Sequence, residues 1–336
     1  MLQKAISLKV KLKTSADLSF IVKTADSLIG VDTPVNFRKA SRGTLNKPET
    51  QERLRQLNMF LPLLTEITNI MKSYRNSHSA ATNVEMAVVT KVDLEITNLI
   101  QTYIAANYPE DMVICEENET IFQKNPKGVW IYDPLDGTKT FKEGGRNCCF
   151  VLSRMEINKD GKLVDGFSII WEPFNNVLNI GISGIGVIVA GNRKFRAVNL
   201  YRRSLLANTN SYIQNKPNKE NDFMLHALPF NIAKTHKGSG SVELMHILAG
   251  KTDLYLRSAS KLWDFLPGAF ICHIAGRDVF FYDSRTSVFP LDLQQIIDIC
   301  SNSQEKSSRK IKKVAITINP RLKLHISSAY LRYIKS

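Results

Sequence analysis

Residues 129–141 read VWIYDPLDGTKTF. Strand-forming residues run straight into two carboxylates, Asp133 and Asp136, spaced across a proline and followed by a glycine-threonine turn. A buried strand that ends in negative charge needs something to offset that charge. The turn itself offers hard oxygen ligands: two acids and the backbone carbonyl of Leu135. Pro134 fixes the backbone between the acids. Gly137 permits a close approach or a positive φ just ahead of a helix whose first amides have no intrahelical partner. Such amides beside a divalent cation form a pocket for a phosphate. A solvated Asx turn is the competing reading for an isolated D-x-x-D. Two more acidic elements weigh against it: Glu116-Glu117 after one apolar run, and Asp264 beside Trp263 at the start of a predicted helix.

At 336 residues the chain suits two domains or one large layered domain. No run of about eighteen apolar residues is free of charge, so no transmembrane span is expected. Cys115, Cys148, Cys149, Cys272 and Cys300 are odd in number and lack CxxC spacing, which fits a reducing, cytoplasmic setting and no zinc site. The net charge of +14 is concentrated at the ends. Residues 1–50 hold nine Lys/Arg against four acids and residues 305–336 nine against one, leaving the middle almost neutral. Lys4, Lys9, Lys11 and Lys13 leave an N-terminal targeting peptide open beside a basic arm or an extra strand through Val10 and Leu12. Both ends read as extensions, 1–50 and 305–336, able to meet nucleic acid or another anionic surface.

Between them helices and strands alternate. Leu54, Leu57, Leu61, Leu64 and Met71 mark one helical face over 52–75, with Pro62 as a kink or true start. A second helix runs through Val92, Ile96, Leu99, Ile100 and Tyr103. Strands are predicted at Val113–Cys115, Val129–Tyr132, Cys148–Ile157, Gly166–Trp171, Val177–Ile182, Asn221–Leu228, Asp253–Arg257 and Val279–Tyr282, and later helices at Ser241–Leu248 and Leu262–Ile274. His226, His236, His246 and His273 match no ligand spacing and are read as structural.

Asp133-Pro134-Leu135-Asp136-Gly137-Thr138-Lys139-Thr140-Phe141, preceded by Cys115-Glu116-Glu117 and followed by Leu262-Trp263-Asp264-Phe265-Leu266-Pro267-Gly268, resembles the inositol monophosphatase superfamily of magnesium-dependent, lithium-sensitive phosphatases. The resemblance covers roughly 52–300. It implies a layered αβαβα sandwich of α+β type, with an N-terminal α+β metal-binding domain at 51–205 and a smaller C-terminal α/β domain at 206–304. It implies two or three magnesium ions: one on Glu117, Asp133 and the Leu135 carbonyl, a second on Asp133, Asp136 and Asp264, a weaker third again on Glu117. Asp93 and Thr138 would orient and deprotonate the attacking water, with Gly137, Thr138, Arg257 and Asp264 at the substrate, and Glu116 behind the ligands. A homodimer is a further implied possibility.

Gly-Thr-Lys-x-Phe, together with Asp253-Leu254-Tyr255-Leu256-Arg257, is closer to the 3′(2′),5′-bisphosphate nucleotidase branch, which hydrolyses adenosine 3′,5′-bisphosphate. Arg257 is then a candidate for the second phosphate, or else one half of a surface ion pair. Asp93 also fits a helix-start capping pattern. Three departures stand out: Gly144–Phe150 replaces a hydrophilic segment, Glu243 stands where that branch has lysine, and Leu266-Pro267 replaces two alanines. Proline there is expected in the first helical turn, where it is tolerated. The expected activity is hydrolysis of a small phosphate ester, with an inositol phosphate as alternative substrate and a binding module with basic ends as the alternative of another class.

Overall fold

The computed structural model describes residues 18–30, 33–39, 47–78, 86–193, 204–209, 212–213, 216–217, 219–235, 238–301, 309–317 and 320–335. The strand carrying the acidic motif, β3 (Gly128–Asp136), is buried at every position. Its faces serve different cores, Val129 and Ile131 in one apolar cluster and Trp130 and Tyr132 in another. This is the period of two of a strand covered on both sides, and it is why the run reads as continuously apolar.

β3 pairs in parallel with β2 (Met112–Cys115) and antiparallel with β4 (Cys149–Ile157). β5 (Lys162–Glu172), β6 (Val177–Ile182) and β7 (Gly186–Gly191) follow as a meander, and β1 (Val35–Lys39) closes the far edge in the order β1-β7-β6-β5-β4-β3-β2. Asp111, just before β2, accepts hydrogen bonds from Trp130 Nε1 (3.0 Å) and Arg154 Nε (2.8 Å), pinning the strand ends opposite the acidic turn. The second sheet has the order β11-β8-β12-β15-β13, from β8 (Ser204–Thr209), β11 (Asn231–Thr235), β12 (Leu254–Lys261), β13 (Asp278–Phe281) and β15 (Lys310–Thr317). The two-residue strands β9 (Tyr212–Ile213) and β10 (Lys216–Pro217) pair with each other, and β14 (Leu291–Asp292), which leads into the helix α9 (Leu293–Ser301), returns to pair with β5 of the first sheet.

Helices complete five layers. α3 (Leu63–His78) packs on α4 (Met86–Asn107), and α4 on β3; α7 (Gly240–Leu248) and α8 (Leu262–Ile274) lie between the sheets; α6 (Lys219–His226) and α10 (Pro320–Tyr333) cover the outer face of the second. The layered αβαβα expectation is met. The central layer is almost wholly apolar, with Trp263, Phe265, Phe270 and Ile271 buried against residues of both sheets. The motif acid Asp264 is thereby carried on the helix the two sheets share.

Several sequence expectations need correction. Asn221–Leu228 is mainly the helix α6, with Asn221, Met224, Leu225 and Leu228 buried at i, i+3, i+4 and i+7, a helical period that outweighs the β-formers. The break expected at Pro62 is present: the face over 52–75 divides at Leu61-Pro62 into α2 (Pro48–Phe60) and α3, because proline cannot donate to the preceding turn. Pro267 lies in the second turn of α8, not the first, so the argument from an amide already unpaired does not apply there.

The termini are less detached than their charge implies. α1 (Ser19–Ile29) and β1 contribute Leu18, Ile21, Val22, Ala25 and Val35 to the first core. β15 lies inside the second sheet between β12 and β13, and α10 buries Leu322, Ile326 and Ala329 against it. Thus 310–317 and 320–333 are no appendage: Lys310, Lys312 and Lys313 stand on β15, and Lys323 and Arg332 on α10, elements the second core needs. The expected N-terminal strand through Val10 and Leu12, and His236, lie outside the described residues. No helix among the described residues is long and apolar enough to cross a membrane.

Candidate metal centre

The acidic turn is built by a fault in the sheet. Asp133 lies opposite Val151 and Asp136 opposite Cys149, so three steps on β3 meet two on β4, a β-bulge. Pro134, which has no amide to give the ladder, sits inside it. The strand therefore does not end at Asp133, as expected from the sequence, but continues through the bulge to Asp136. Asp133 Oδ1 accepts from the Leu135 amide at 2.8 Å, and Thr138 Oγ1 donates to the Leu135 carbonyl at 3.1 Å. Gly137 follows at φ 91°, where an added Cβ would lie 2.8 Å from the Asn147 carbonyl oxygen. Only glycine fits that approach. The short helix α5 (Thr138–Lys142) starts there.

Around this turn three carboxylates converge from distant segments. Oxygens of Glu116, Asp133 and Asp264 all lie within 4.8 Å of one another. Glu116 follows β2, Asp133 is on β3 and Asp264 is in the first turn of α8. From the Glu116-Glu117 pair it is Glu116, not the expected Glu117, that enters this group. Glu116 is oriented by Trp263 Nε1 at 3.1 Å and by an ion pair with Lys261. Lys261 went unnoticed in the sequence, although its place two residues before Trp263 was the available signal. Burial by itself lowers its pKa, but the charges of Asp264, Glu116 and Asp133 outweigh burial and hold Lys261 above the ordinary lysine value.

Asp136 is fixed differently. Its Oδ2 accepts from Ser239 Oγ and from the Ser241 amide, both at 2.8 Å, at the N-terminus of α7. Ser239 is also the N-cap of α7, accepting the Val242 amide, and no local pattern in the sequence signals its bond to Asp136.

Electrostatics describes a place unfavourable to isolated carboxylates. Burial, then Glu116, Asp136 and Asp264, pushes Asp133 well above the usual carboxylate range. Burial and Asp136 do the same to Asp264. Asp136 is also raised, by burial, against the lowering hydrogen bonds of Ser241 and Ser239. Asp93, inside α4 rather than at the helix start its capping pattern implied, is 6% exposed. Burial and then Glu117 and Glu116 push it up to about 8. An all-oxygen donor set of mutually repelling buried acids suits a hard divalent cation, which would relieve each of these shifts. The residues therefore fit magnesium.

The sign of these shifts gives an expected result. Between an unfolded value near 4 and a folded value near 8, the folded protein holds more protons at Asp93 than the unfolded chain does, so stability falls as pH rises. In excess chelator the melting temperature should decline from about pH 5 to 8, with saturating magnesium reversing the trend. At a hundredfold excess over Kd the ion adds about 2.7 kcal/mol. Calorimetric scans across that range test it, and a metal-free melting temperature that climbs with pH would contradict it.

Arg257 is not at the surface. It is 6% exposed and ion-paired with fully buried Glu243, with Nη1 donating to the Leu256 carbonyl at 3.2 Å and its guanidinium carbon 4.4 Å from the Tyr255 ring centroid. The glutamate that departs from the nucleotidase pattern is thus the counter-charge of the arginine that fits it. The five cysteines are unbridged and buried, and His226 Nδ1 lies 2.7 Å from the Asp222 carbonyl oxygen.

A family model described as the inositol monophosphatase family matches residues 58–318. The chain belongs to that family. Its members are metal-dependent phosphatases. The Nus factor SuhB of Vibrio cholerae is 28% identical over 212 residues, covering 62% of this chain and 78% of that one. The fructose-1,6-bisphosphatase/inositol-1-monophosphatase of Thermotoga maritima is 26% identical over 193 residues, covering 56% and 69%. The crystal structure of inositol monophosphatase II from Staphylococcus aureus shares the fold, with TM-score 0.63 and 19% identity, over 83% of this chain and 94% of its own.

Proposed function

We propose that this chain is a magnesium-dependent phosphomonoesterase acting on a small phosphate ester at the centre formed by β3, the segment after β2 and the first turn of α8. The observation that carries this reading is the convergence of Glu116, Asp133 and Asp264 within 4.8 Å. Asp133, Asp136, Asp264, the Leu135 carbonyl and the Glu116-Glu117 pair are the groups available to hold the ions. When bound, magnesium supplies Lewis-acid charge for the attacking water and the leaving oxygen. The protein supplies position. The Asp133 and Thr138 bonds lock the turn, and Asp93, whose charge interacts with Glu117, Glu116 and Lys142, would hold the proton of the attacking water.

The buried Arg257–Glu243 pair bears on substrate. Neutralised by Glu243, the guanidinium is a weaker partner for a second phosphate than the sequence pattern implied. A single-phosphate ester of inositol type is favoured over adenosine 3′,5′-bisphosphate. Purified protein should release phosphate faster from inositol 1-phosphate than from adenosine 3′,5′-bisphosphate, only with magnesium and less in lithium. Undiminished release in excess chelator would end the proposal; preference for the bisphosphate would end its substrate half.

A further inference from the structure

Asp136 is held from the far half of the sequence. Ser239 and Ser241, 103 and 105 residues away, both donate to the same carboxylate oxygen, Oδ2. A carboxylate oxygen with two donors has its lone pairs engaged. The Ser239 hydroxyl works in two directions: it gives its proton to Asp136 and accepts the Val242 amide of α7 at 3.1 Å. Ser239 is fully buried, so water does not compete for the bond.

The segment around it is seated by missing side chains. Gly238 has φ +91°, and a Cβ there would lie 2.2 Å from Thr140 Oγ1; one at Gly137 would lie 3.1 Å from the Ser239 Cβ. Gly238 thus sets its backbone against the Thr140 side chain and Gly137 sets its own against the Ser239 side chain, close approaches that glycine permits. Glycine on both sides makes the contact close enough for Ser239 to reach Asp136.

We infer that Gly238–Ser241 is a latch through which the C-terminal half of the chain sets the orientation of Asp136, with Ser239 as the positioning residue. The inference rests on the reading of Asp136 as a metal ligand. Groups that orient ligands from behind typically change metal affinity 10- to 100-fold when removed. Binding linkage is reciprocal, so a bound ion tightens the latch as much as the latch tightens the ion.

The test separates latch from cap. Glycine is itself an accepted helix N-cap residue, so Ser239→Gly removes the bond to Asp136 with little cost to α7. Ser239→Thr keeps the hydroxyl. Magnesium and manganese are titrated calorimetrically into wild type and both full-length variants, with melting curves alongside. The expected result is roughly tenfold weaker binding in Ser239→Gly and affinity near wild type in Ser239→Thr. A folded Ser239→Gly that binds both ions as wild type does overturns the latch. If that variant does not fold, Ser239→Ala, which removes the same hydroxyl and keeps the Cβ, carries the same expectation and the same refutation. Wild-type protein that binds neither ion fails the functional reading instead, which keeps the two failures apart.

Discussion

Asp133→Asn lowers phosphate release roughly a thousandfold, about 4 kcal/mol in the barrier. The substitution is nearly isosteric, and its side-chain oxygen can still accept the Leu135 amide that Asp133 accepts at 2.8 Å. The turn therefore keeps its shape while the centre loses the acid that Glu116 and Asp264 converge upon. The metal-free variant should also melt higher than metal-free wild type near neutral pH, since one of several mutually repelling buried charges is gone. Reduced activity with raised intrinsic stability is the joint signature of a functional carboxylate. Steady-state kinetics, magnesium calorimetry and melting curves in chelator check it. Activity within tenfold of wild type would remove Asp133 from the centre.

Glu243→Ala destabilises the protein by about 3–5 kcal/mol, because it strands the buried Arg257 guanidinium without its counter-charge. The Leu256 carbonyl and the Tyr255 ring remain as partial partners and set the lower end of that range. Replacing both members, Glu243→Leu with Arg257→Met, should recover most of the loss, since an apolar pair of similar volume avoids the desolvation cost. Urea titration of the two proteins and their parent decides it. A single variant as stable as wild type would show that Arg257 does not depend on Glu243 for its charge balance and would reopen its role toward a second phosphate.

Much of the molecule was legible because its signals are local. The β3 run, the helical spacing of α8 and the acids at 116, 117, 133, 136 and 264 are visible within short windows of sequence. The errors came where a local pattern has two solutions. Asn221–Leu228 holds residues compatible with either period, and packing against α10 and β12 selects the helix. Thr90–Asp93 resembles a helix start, yet α4 already runs from Met86. The C-terminal segment reads as detached by its charge, yet it contains the apolar run Val314, Ala315 and Ile316, which is fully buried.

What the sequence determined by itself was the chemistry on offer: oxygen ligands on a buried strand, the glycine that permits their turn, and a second acid placed on a strongly apolar helix. Which groups meet was decided by the tertiary structure. The selection of Glu116 over Glu117, the pairing of Arg257 with Glu243 and the grip of Ser239 on Asp136 each join residues far apart in the chain. No local rule fixes such pairs, because their separation in space is set by how the two sheets pack around α7 and α8.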